Sequence, residues 1–148
     1  MTNKKKVFVS GCFDLMHSGH IAFFEEASTL GDLYVSIGSD ATIRELKNHE
    51  PICMEDERLY MVQSVRFVTK AFIGSGHGKL DFLPELETVK PDIFFVNEDG
   101  ASAEKEQMCK ERNIKYIVRK RLPKNLLPYR STTSFRQMMK EQEDKRNK

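Results

Sequence analysis

The sequence predicts an α/β fold: an open, doubly wound sheet of five parallel strands with helices on both faces. Short β-rich segments alternate about five times with longer segments of helical period. Strands separated by helices pair in parallel through right-handed crossovers, and such crossovers place helices on both faces of the sheet. The chain has 148 residues, of which 39% are hydrophobic, and this length suffices for one compact domain.

The first strand and the first helix are predicted from two segments near the amino terminus. Residues 6–10, KVFVS, contain two β-branched valines and a phenylalanine, which favours a strand. The segment 20–30 has helical period, and we expect the helix to begin between Ser18 and His20. Its core-facing stripe consists of Ile21, Phe23, Phe24 and Ala27.

The middle of the chain repeats the alternation and adds one helix. Residues 33–38 predict the second strand, and residues 40–46 predict the helix that follows it. An insertion contains a further helix over 54–65, because acidic residues at its start favour a helix N-terminus. Residues 67–74 predict the third strand, and residues 81–89 predict the next helix.

The last third of the chain completes the pattern. Residues 92–97 and 114–118 predict the fourth and fifth strands, with a helix over 102–112 between them. A final helix is predicted over 133–142. Residues 140–148 are charged and mixed in sign, so we expect a solvated helix end that frays into a tail.

Composition restricts the class of protein. A formal net charge of +2 provides no broad field for gripping nucleic acid, and no run of about 20 apolar residues could span a membrane. The amino terminus has no apolar segment of signal-peptide length, so we expect a cytoplasmic protein. We expect one domain over 1–148, with its core over about 5–139. The cysteines are too widely spaced for a metal-type pair or a disulfide framework: Cys12, Cys53 and Cys109.

The loop after the first strand, GCFDLMHSGH at 11–20, has the composition of an anion site. A helix N-terminus offers unpaired N–H groups and a partial positive charge. Gly11 and Gly19 carry no Cβ and let the backbone approach an anion closely. His17 and His20 are three residues apart, so both imidazoles should lie on one side of the first helical turn and donate to one group.

Three interpretations of this histidine pair compete. In a polyphosphate site both histidines are donors, whereas in a zinc site they are ligands together with Cys12 or Asp14. In the third interpretation they are ordinary capping or surface histidines. The phosphate site is preferred because the loop precedes a helix N-terminus, and because Cys12 and Asp14 leave the strand in an awkward geometry for tetrahedral zinc.

A second anion site is predicted at the start of the last helix. Ser131, Thr132 and Thr133 are consecutive hydroxyl residues, and Arg130 precedes them after the basic stretch RKRLPK at 119–124. One hydroxyl would serve as an N-cap. Three hydroxyls with an arginine indicate a phosphate site that faces the first one.

The pattern GxFDxxHxGH formed by residues 11–20 resembles the signature of the HxGH nucleotidyltransferases. Within them it is similar to the cytidylyltransferases that act on glycerol 3-phosphate, phosphocholine or phosphoethanolamine. The likeness continues in order through ELKNHEP, ERLYMVQSVRFV, FFVNED and STT, and so covers nearly the whole chain. It implies a Rossmann-like fold and transfer of a nucleotidyl group from a nucleoside triphosphate to a phosphate monoester, with release of pyrophosphate.

The resemblance also implies site residues. The catalytic residues that it implies are His17, His20, Lys47 and Arg66. The implied nucleotide-binding residues are Gly11, Cys12, Phe13, Asp14, Gly19, Glu98, Arg121, Arg130, Ser131, Thr132 and Thr133. The implied acceptor-binding residues are Lys47, Asn97 and Asp99. Magnesium is expected on the phosphates, near Asp14 and without a site made of protein ligands alone. Similar enzymes are dimers, so the resemblance also implies a homodimer.

These residue types suit nucleotidyl transfer, because its catalysis rests on positioning and on electrostatic stabilisation. A phosphate monoester already carries a nucleophilic oxyanion at neutral pH, so no general base is needed. The chain departs from the family where the base and the acceptor are read. Thr69 replaces the family's aspartate, the loop 97–100 differs, and either Arg121 or Arg130 could replace the family's arginine before the last helix.

Two other segments receive structural interpretations. The loop GSGHGKL at 74–80 fails the GxxxxGK[ST] pattern, because Ile73 and Leu80 stand at the required positions. We therefore expect a mobile glycine loop that borders the acceptor pocket. The acidic residues 54–57 are interpreted as a helix start, and Arg58 as a surface ion-pair partner.

The sequence favours a cytidylyltransferase that transfers CMP from CTP to a small polyol, sugar or amino-alcohol phosphate. The alternative within the class is an adenylyltransferase that uses ATP on a sugar phosphate or on FMN. From other classes, the alternatives are a non-catalytic nucleotide-binding regulatory module and a metal-binding module. No nucleic-acid or membrane partner is expected.

Overall fold

The computed structural model describes residues 4–148 and contains one sheet of five parallel strands within that range. The strands are β1 Lys6–Gly11, β2 Asp32–Ile37, β3 Lys70–Ile73, β4 Ile93–Asn97 and β5 Lys115–Arg119. Their order is β3-β2-β1-β4-β5, so β1 is the central strand, with β2 and β3 on one side and β4 and β5 on the other. All four strand pairs are parallel, which confirms the predicted type of sheet.

Six α-helices accompany these strands in the described part of the chain. They are α1 Ser18–Ser28, α2 Asp40–Lys47, α3 Glu55–Gln63, α4 Leu83–Val89, α5 Ala103–Glu111 and α6 Thr132–Arg146. Short 3₁₀ turns at Gly78–Leu80 and Glu98–Gly100 follow β3 and β4. Every predicted helix is present, including the one in the insertion between α2 and β3.

Two predicted segments differ most from their bounds in the structure. The third strand, predicted over 67–74, covers only Lys70–Ile73, because a turn in which the Val68 N–H donates to the Val65 carbonyl precedes it. Residues 140–146 belong to α6 and have exposed side chains, so the helix extends beyond its predicted end at 142. Basic residues in the last turn of α6 favour its C-terminus and help to extend the helix.

Apolar side chains pack on both faces of the sheet, because successive residues of a strand point to opposite faces. On one face Val9 belongs to a cluster with Phe24 of α1 and Val62 of α3. On the other face Phe8 belongs to a cluster with Leu86 of α4 and with side chains of α5. These two clusters confirm that helices cover both faces.

The carboxyl ends of the parallel strands meet at one edge of the sheet. The strand order reverses at β1, because β2 and β3 lie on one side of it and β4 and β5 lie on the other. Ligands of doubly wound sheets bind in the crevice at such a point. The candidate site is therefore sought among the loops that follow the strands. Over residues 4–148, no helix combines the length and the apolar character that a membrane crossing requires.

Candidate active site

A cleft of ≈ 850 Å³ opens at the carboxyl ends of the strands. Sites for small molecules and cofactors have volumes of roughly 300–1,000 Å³, so this cleft is large enough for one. Most residues predicted for the site line it: Gly11, Cys12, Phe13, Asp14, Gly19, His20, Lys47, Asn97, Asp99, Arg121, Ser131, Thr132 and Thr133. Segments far apart in the sequence thus converge on one cavity.

The loop between β1 and α1 turns sharply through two residues with positive φ. Phe13 and Leu15 have φ values of 51° and 54°, in the left-handed region that residues other than glycine rarely adopt. The turn brings the Phe13 ring against Gly11, where a Cβ would lie 2.8 Å from a ring carbon. Gly11 therefore leaves room for the Phe13 ring.

Gly19 lets a distant segment approach the start of α1. A Cβ at this position would lie 3.1 Å from the carbonyl oxygen of Arg130 and 2.9 Å from the ring of His17. Both distances are shorter than ordinary van der Waals contact, so a side chain here would displace one of the two neighbours. The segment that precedes α6 therefore lies directly against the N-terminus of α1.

His17 and His20 each use one ring nitrogen to accept a backbone hydrogen bond at the start of α1. The N–H of Gly19 donates to Nδ1 of His17 at 3.1 Å, and the N–H of His17 donates to Nδ1 of His20 at 3.2 Å. The two rings stack with their centroids 3.9 Å apart. Because both Nδ1 atoms accept hydrogen bonds, the neutral rings carry their protons on Nε2. Nε2 of His17 is buried and has no partner among the described residues.

Both imidazoles are held in the neutral form. Burial lowers the pKa of His17, and the positive charges of Arg121 and Arg130 lower it further. Burial lowers the pKa of His20 to about 3, with smaller contributions from His17 and Arg121. The capping interpretation therefore describes how both histidines are held at the start of α1. Their role as phosphate donors stays a prediction, because His20 lines the cleft whereas His17 does not and has a buried Nε2.

Asp14 joins three segments of the cleft wall. Its carboxylate accepts hydrogen bonds from the N–H groups of Ile52 and Cys53 at 2.7 and 2.9 Å, and it lies 3.7 Å from the guanidinium of Arg136. Its backbone carbonyl accepts a hydrogen bond from the Thr132 hydroxyl at 3.2 Å. Asp14 thereby ties the first loop to the loop after α2 and to the start of α6.

Arg58 is buried, so the prediction that it is a surface ion-pair partner was wrong about its location. Only 1% of its side chain is exposed, and its guanidinium lies 2.9 Å from the carboxylate of Asp40. It also donates to three backbone carbonyls around the cleft, those of Cys12, Gly38 and Cys53. The arginine fixes the loops after β1 and β2 relative to the start of α3.

Four predicted site residues are not among those that line the cleft: His17, Arg66, Glu98 and Arg130. Arg66 lies at the amino-terminal edge of the sheet, where it lines a separate pocket with Asp32 and stacks on Phe67 at 4.9 Å. This placement corrects the predicted one: Arg66 precedes β3, and a residue that leads into a parallel strand lies at the edge opposite the site. Glu98 is exposed in the 3₁₀ turn after β4 and does not line the cleft.

The two candidate arginines before α6 occupy different positions. Arg121 lines the cleft and lies 3.3 Å from the carboxylate of Asp99. The guanidinium of Arg130 instead stacks on Phe135 of α6, 5.5 Å from its centroid. In the same region the side chain of Asn97 accepts a hydrogen bond from the N–H of Gly100 and shapes the turn after β4.

The start of α6 presents its hydroxyl residues at the cleft. Ser131 is the N-cap, and its Oγ accepts a hydrogen bond from the N–H of Ser134 at 3.1 Å. Thr132 contacts the first loop as described above, and Thr133 is exposed in the cleft wall. Phe135 packs against His17 with centroids 5.2 Å apart, so α6 is attached to α1 through the site itself.

The cleft wall also contains charged and polar residues outside the predicted set. Among them are Thr42, Lys79, Asp81, Lys105 and Arg136. Thr42, Lys105 and Arg136 stand within the first two turns of a helix that follows a strand, and parallel topology places such positions at this edge. Across residues 4–148, no group of three or more His, Cys, Asp or Glu side chains could hold a metal ion.

The fold and the cleft define a class of protein that handles phosphorylated nucleotides. A doubly wound sheet that carries a histidine pair at a helix N-terminus, with cations around it, suits a polyphosphate. A family model described as cytidylyltransferase-like matches residues 8–138, and the chain belongs to that family. The protein is therefore a nucleotidyltransferase, which confirms the predicted class of enzyme.

Similar proteins narrow the class further. The chain is 41% identical over 116 residues to the FAD synthase of Aciduliprofundum boonei, covering 76% of this chain and 75% of that protein. It is 31% identical over 139 residues to the FAD synthase of Methanocella paludicola, covering 92% and 96%. Among solved structures, the lipopolysaccharide core biosynthesis protein from Thermoplasma volcanium GSS1 superposes with a TM-score of 0.68 at 27% identity, covering 83% of this chain and all of that one.

Proposed function

We propose that the protein transfers AMP from ATP to the phosphate of FMN or of a similar phosphate monoester, with release of pyrophosphate. The similarity to FAD synthases favours this alternative over the CTP-dependent reaction preferred from the sequence. The observation that carries the proposal is the stacked pair of neutral histidines at the N-terminus of α1, of which His20 lines a cleft that also contains several cationic side chains.

The reaction needs little covalent chemistry from the protein. An oxygen of the acceptor phosphate attacks the α-phosphorus of ATP and forms a new P–O bond. The bond from the α-phosphorus to the oxygen that bridges to the β-phosphate breaks, and its electron pair leaves with pyrophosphate. Because the monoester oxygen is already negative near neutral pH, no side chain has to remove a proton.

The histidines donate hydrogen bonds where charge accumulates. Their Nδ1 atoms are engaged at the helix start, so each ring is fixed and its Nε2–H is the donor left for phosphate oxygens. Donors fixed in place before the reaction cost no reorganisation, and the loss of one such donor typically lowers turnover by about 10²–10³. His17 and His20 are proposed to bind the α-phosphate and the leaving pyrophosphate.

Cations and a helix N-terminus complete the phosphate site. Lys47 ends α2 and Arg121 follows β5, and both line the cleft. Lys47 is proposed to bridge the donor and acceptor phosphates. It follows β2, whereas the residues of α6 follow β5 on the other side of β1. Arg121 and the hydroxyls of Ser131 and Thr133 are proposed to hold the β- and γ-phosphates.

Part of the cleft wall is apolar, which suits an aromatic acceptor. Phe23, Ile43, Leu46 and Tyr129 line it. Contact with such side chains would stabilise the binding of a ring system such as the isoalloxazine of FMN, because apolar surface of both the ring and the protein is removed from water. This feature supports FMN over a small acceptor such as glycerol 3-phosphate.

Magnesium, the homodimer and a cytoplasmic location belong to the same proposal. The residues fit a metal that binds through phosphate oxygens and water, because the Asp14 carboxylate already accepts two backbone hydrogen bonds. Magnesium would supply positive charge on the triphosphate. Removal of divalent cations with EDTA is expected to abolish pyrophosphate release. For the proposed homodimer, light scattering is expected to give twice the mass of the chain.

A pyrophosphate-release screen tests the proposal. The protein with Mg²⁺ receives each of ATP, CTP, GTP and UTP together with FMN, glycerol 3-phosphate or phosphocholine, and mass spectrometry identifies the product. We expect FAD from ATP and FMN, with the His20→Ala variant as the blank. Release with CTP and not with ATP would support cytidylyl transfer instead. No release with any pair would contradict the proposed reaction.

A further inference from the structure

Asp81 carries a buried carboxylate oxygen without a hydrogen-bond partner in the wall of the cleft. Its side chain is 8% exposed, and Oδ2 has no partner among the described residues. The loop after β3 holds it in place, because the N–H of Gly76 donates to the Asp81 carbonyl at 2.8 Å. Burial of a carboxylate oxygen without a donor costs free energy, so this position suits a ligand that brings an O–H or N–H group.

The space around this carboxylate is narrow and polar. A Cβ at Gly38 would lie 3.7 Å from Oδ2, and a Cβ at Gly74 would lie 3.4 Å from it. Sγ of Cys12 lies 3.5 Å from the same Gly38 position. Burial raises the pKa of the Asp81 carboxyl, and an interaction with the Thr42 hydroxyl partly offsets this rise, although Oδ2 has no hydrogen-bond partner among the described residues. The carboxylate is therefore bordered by two glycines and by small polar side chains.

Lys105 of α5 provides the complementary donor. Its Nζ donates to the carbonyl of Gly100 at 2.7 Å, which fixes the ammonium in the cleft wall and leaves two N–H groups for other partners. Burial raises the pKa of Asp81 and lowers the pKa of Lys105, and the charge of each group partly offsets this effect on the other. The site thus offers an acceptor and a donor together.

We propose that Asp81 and Lys105 form a subsite for the hydroxyl groups of the acceptor, which is therefore a polyol phosphate or carries a polyol chain, as FMN does. A hydroxyl donates its proton to Asp81 and accepts a hydrogen bond from Lys105, so a hydroxylated chain satisfies both groups. The inference rests on the proposed function and specifies which part of the acceptor is recognised.

The position of Asp81 relative to the sheet favours the acceptor as the source of the hydroxyl groups. Asp81 follows β3 and Thr42 follows β2, on the same side of β1 as Lys47. The residues proposed to hold the triphosphate belong to α1 and to the segment from Arg121 to Thr133, which follow β1 and β5. Asp81 and Thr42 therefore lie on the side of β1 proposed for the acceptor, whereas Lys105 follows β4 on the other side and acts on Asp81 through its charge. The KM for ATP in the Asp81→Asn variant distinguishes acceptor hydroxyls from those of ribose.

Steady-state kinetics of the Asp81→Asn variant test the subsite. The substitution keeps the shape of the side chain and replaces a charged acceptor oxygen with an amide. We expect the KM for FMN, or for ribitol 5-phosphate, to rise about 10- to 100-fold, as for a lost hydrogen bond to a charged group. The KM for ATP should stay within twofold. Glu87→Gln, an exposed carboxylate of α4, is the matched control and should change neither value.

A measurement on the parent protein keeps the test independent of the variant's folding. Ribitol 5-phosphate and pentyl phosphate have the same chain length, and we expect pyrophosphate release at least tenfold faster at low acceptor concentration with the polyol. Equal rates with both would overturn the subsite and leave nucleotidyl transfer intact. A rise in the KM for ATP alone in Asp81→Asn would also overturn it, because the hydroxyls would then be those of ribose. No release with any acceptor would instead contradict the proposed function, and the subsite with it.

Discussion

At the scale of single residues, His17 and His20 each serve the fold and the chemistry through different ring nitrogens. Nδ1 accepts a backbone hydrogen bond at the start of α1, and this bond fixes both the tautomer and the orientation of the ring. Nε2–H is the donor that the proposed function assigns to phosphate. The loss of a histidine therefore affects both stability and turnover, and the two effects have to be measured separately.

The first prediction concerns turnover. His17→Ala should lower kcat for pyrophosphate release by about 10² or more at saturating ATP, because it removes a donor that acts in the transition state. His77→Ala, an exposed histidine of the loop after β3, is the matched control and should keep the parent's kcat. A His17→Ala variant within threefold of the parent would exclude a role for this ring in the chemical step.

The second prediction concerns pH and stability. The pKa of His20 is about 3 in the folded protein and about 6.5 in the unfolded chain, so the unfolded chain binds the additional proton between these values. The free energy of unfolding should therefore fall as the pH decreases from 7 to 5. In His20→Gln the fall should be smaller, because one such group is absent.

Urea unfolding at pH 7 and pH 5 checks this sign. His77→Gln serves as the control and should show the same fall as the parent. If parent and His20→Gln lose equal free energy of unfolding between the two pH values, His20 is not held neutral by the fold.

At the scale of secondary-structure elements, Arg58 of α3 connects loops that the helices and strands alone would not hold together. Its guanidinium contacts the loops after β1 and β2, the segment before α3 and the carboxylate of Asp40. The sequence contains a partial signal, because Arg58 is four residues from the buried Val62 and shares its face of the helix. The charge alone suggested the surface, since the three carbonyls converge only in the folded chain.

The third prediction is that Arg58→Met lowers the free energy of unfolding by about 3–5 kcal/mol, because it leaves a partly buried carboxylate and three carbonyls without their donor. Arg119→Met removes an arginine from an exposed ion pair with Glu26 and should cost less than about 1 kcal/mol. Chemical denaturation of both variants measures the difference. A similar small loss in both would mean that Arg58 does not organise the cleft.

The fourth prediction concerns α6. None of its residues is buried, and it is attached to the rest of the protein at its start, through Thr132, Phe135 and Arg136. A helix with so few apolar contacts should open readily. Addition of ATP and Mg²⁺ should slow hydrogen exchange in residues 130–138 more than in α1, because the phosphates complete the helix start.

Adenosine is the matched ligand for this experiment, since it has the base and ribose of ATP without phosphates. It should leave exchange in residues 130–138 unchanged. Protection confined to residues 11–20 with ATP would show that α6 takes no part in triphosphate binding.

At the scale of the whole molecule, the periodicity of the sequence was sufficient to predict the sheet, its parallel pairing and all six helices. The loops after the strands were predictable as the place of the site for the same reason. Arg66 shows that a role assigned from a sequence motif also has to agree with the topology. It precedes β3, and a residue that precedes a parallel strand lies at the edge of the sheet opposite the cleft. Asp81 was not predicted, because its burial depends on how the loop after β3 folds back onto Gly38 and Gly74.

The identity of the nucleotide base was less accessible still. Bases in such clefts are distinguished by how loop groups are placed, and the loop 97–100 departs from the resembled family in sequence. The preference for CTP came from that resemblance, whereas the FAD synthase relatives favour ATP. The position of these residues at the cleft could be predicted because histidines, glycines and hydroxyls at helix starts have the same physical role whatever the base.

The most direct test of nucleotidyl transfer follows the phosphorus atoms of ATP. ATP radiolabelled at the α-phosphate is incubated with the protein, Mg²⁺ and FMN, and the products are separated by chromatography. The label should appear in FAD, whereas ATP labelled at the γ-phosphate should give labelled pyrophosphate alone, and His20→Ala should slow both. A γ-label in the flavin product, or an α-label that remains in ADP or AMP, would contradict nucleotidyl transfer, because these results indicate phosphoryl transfer or hydrolysis.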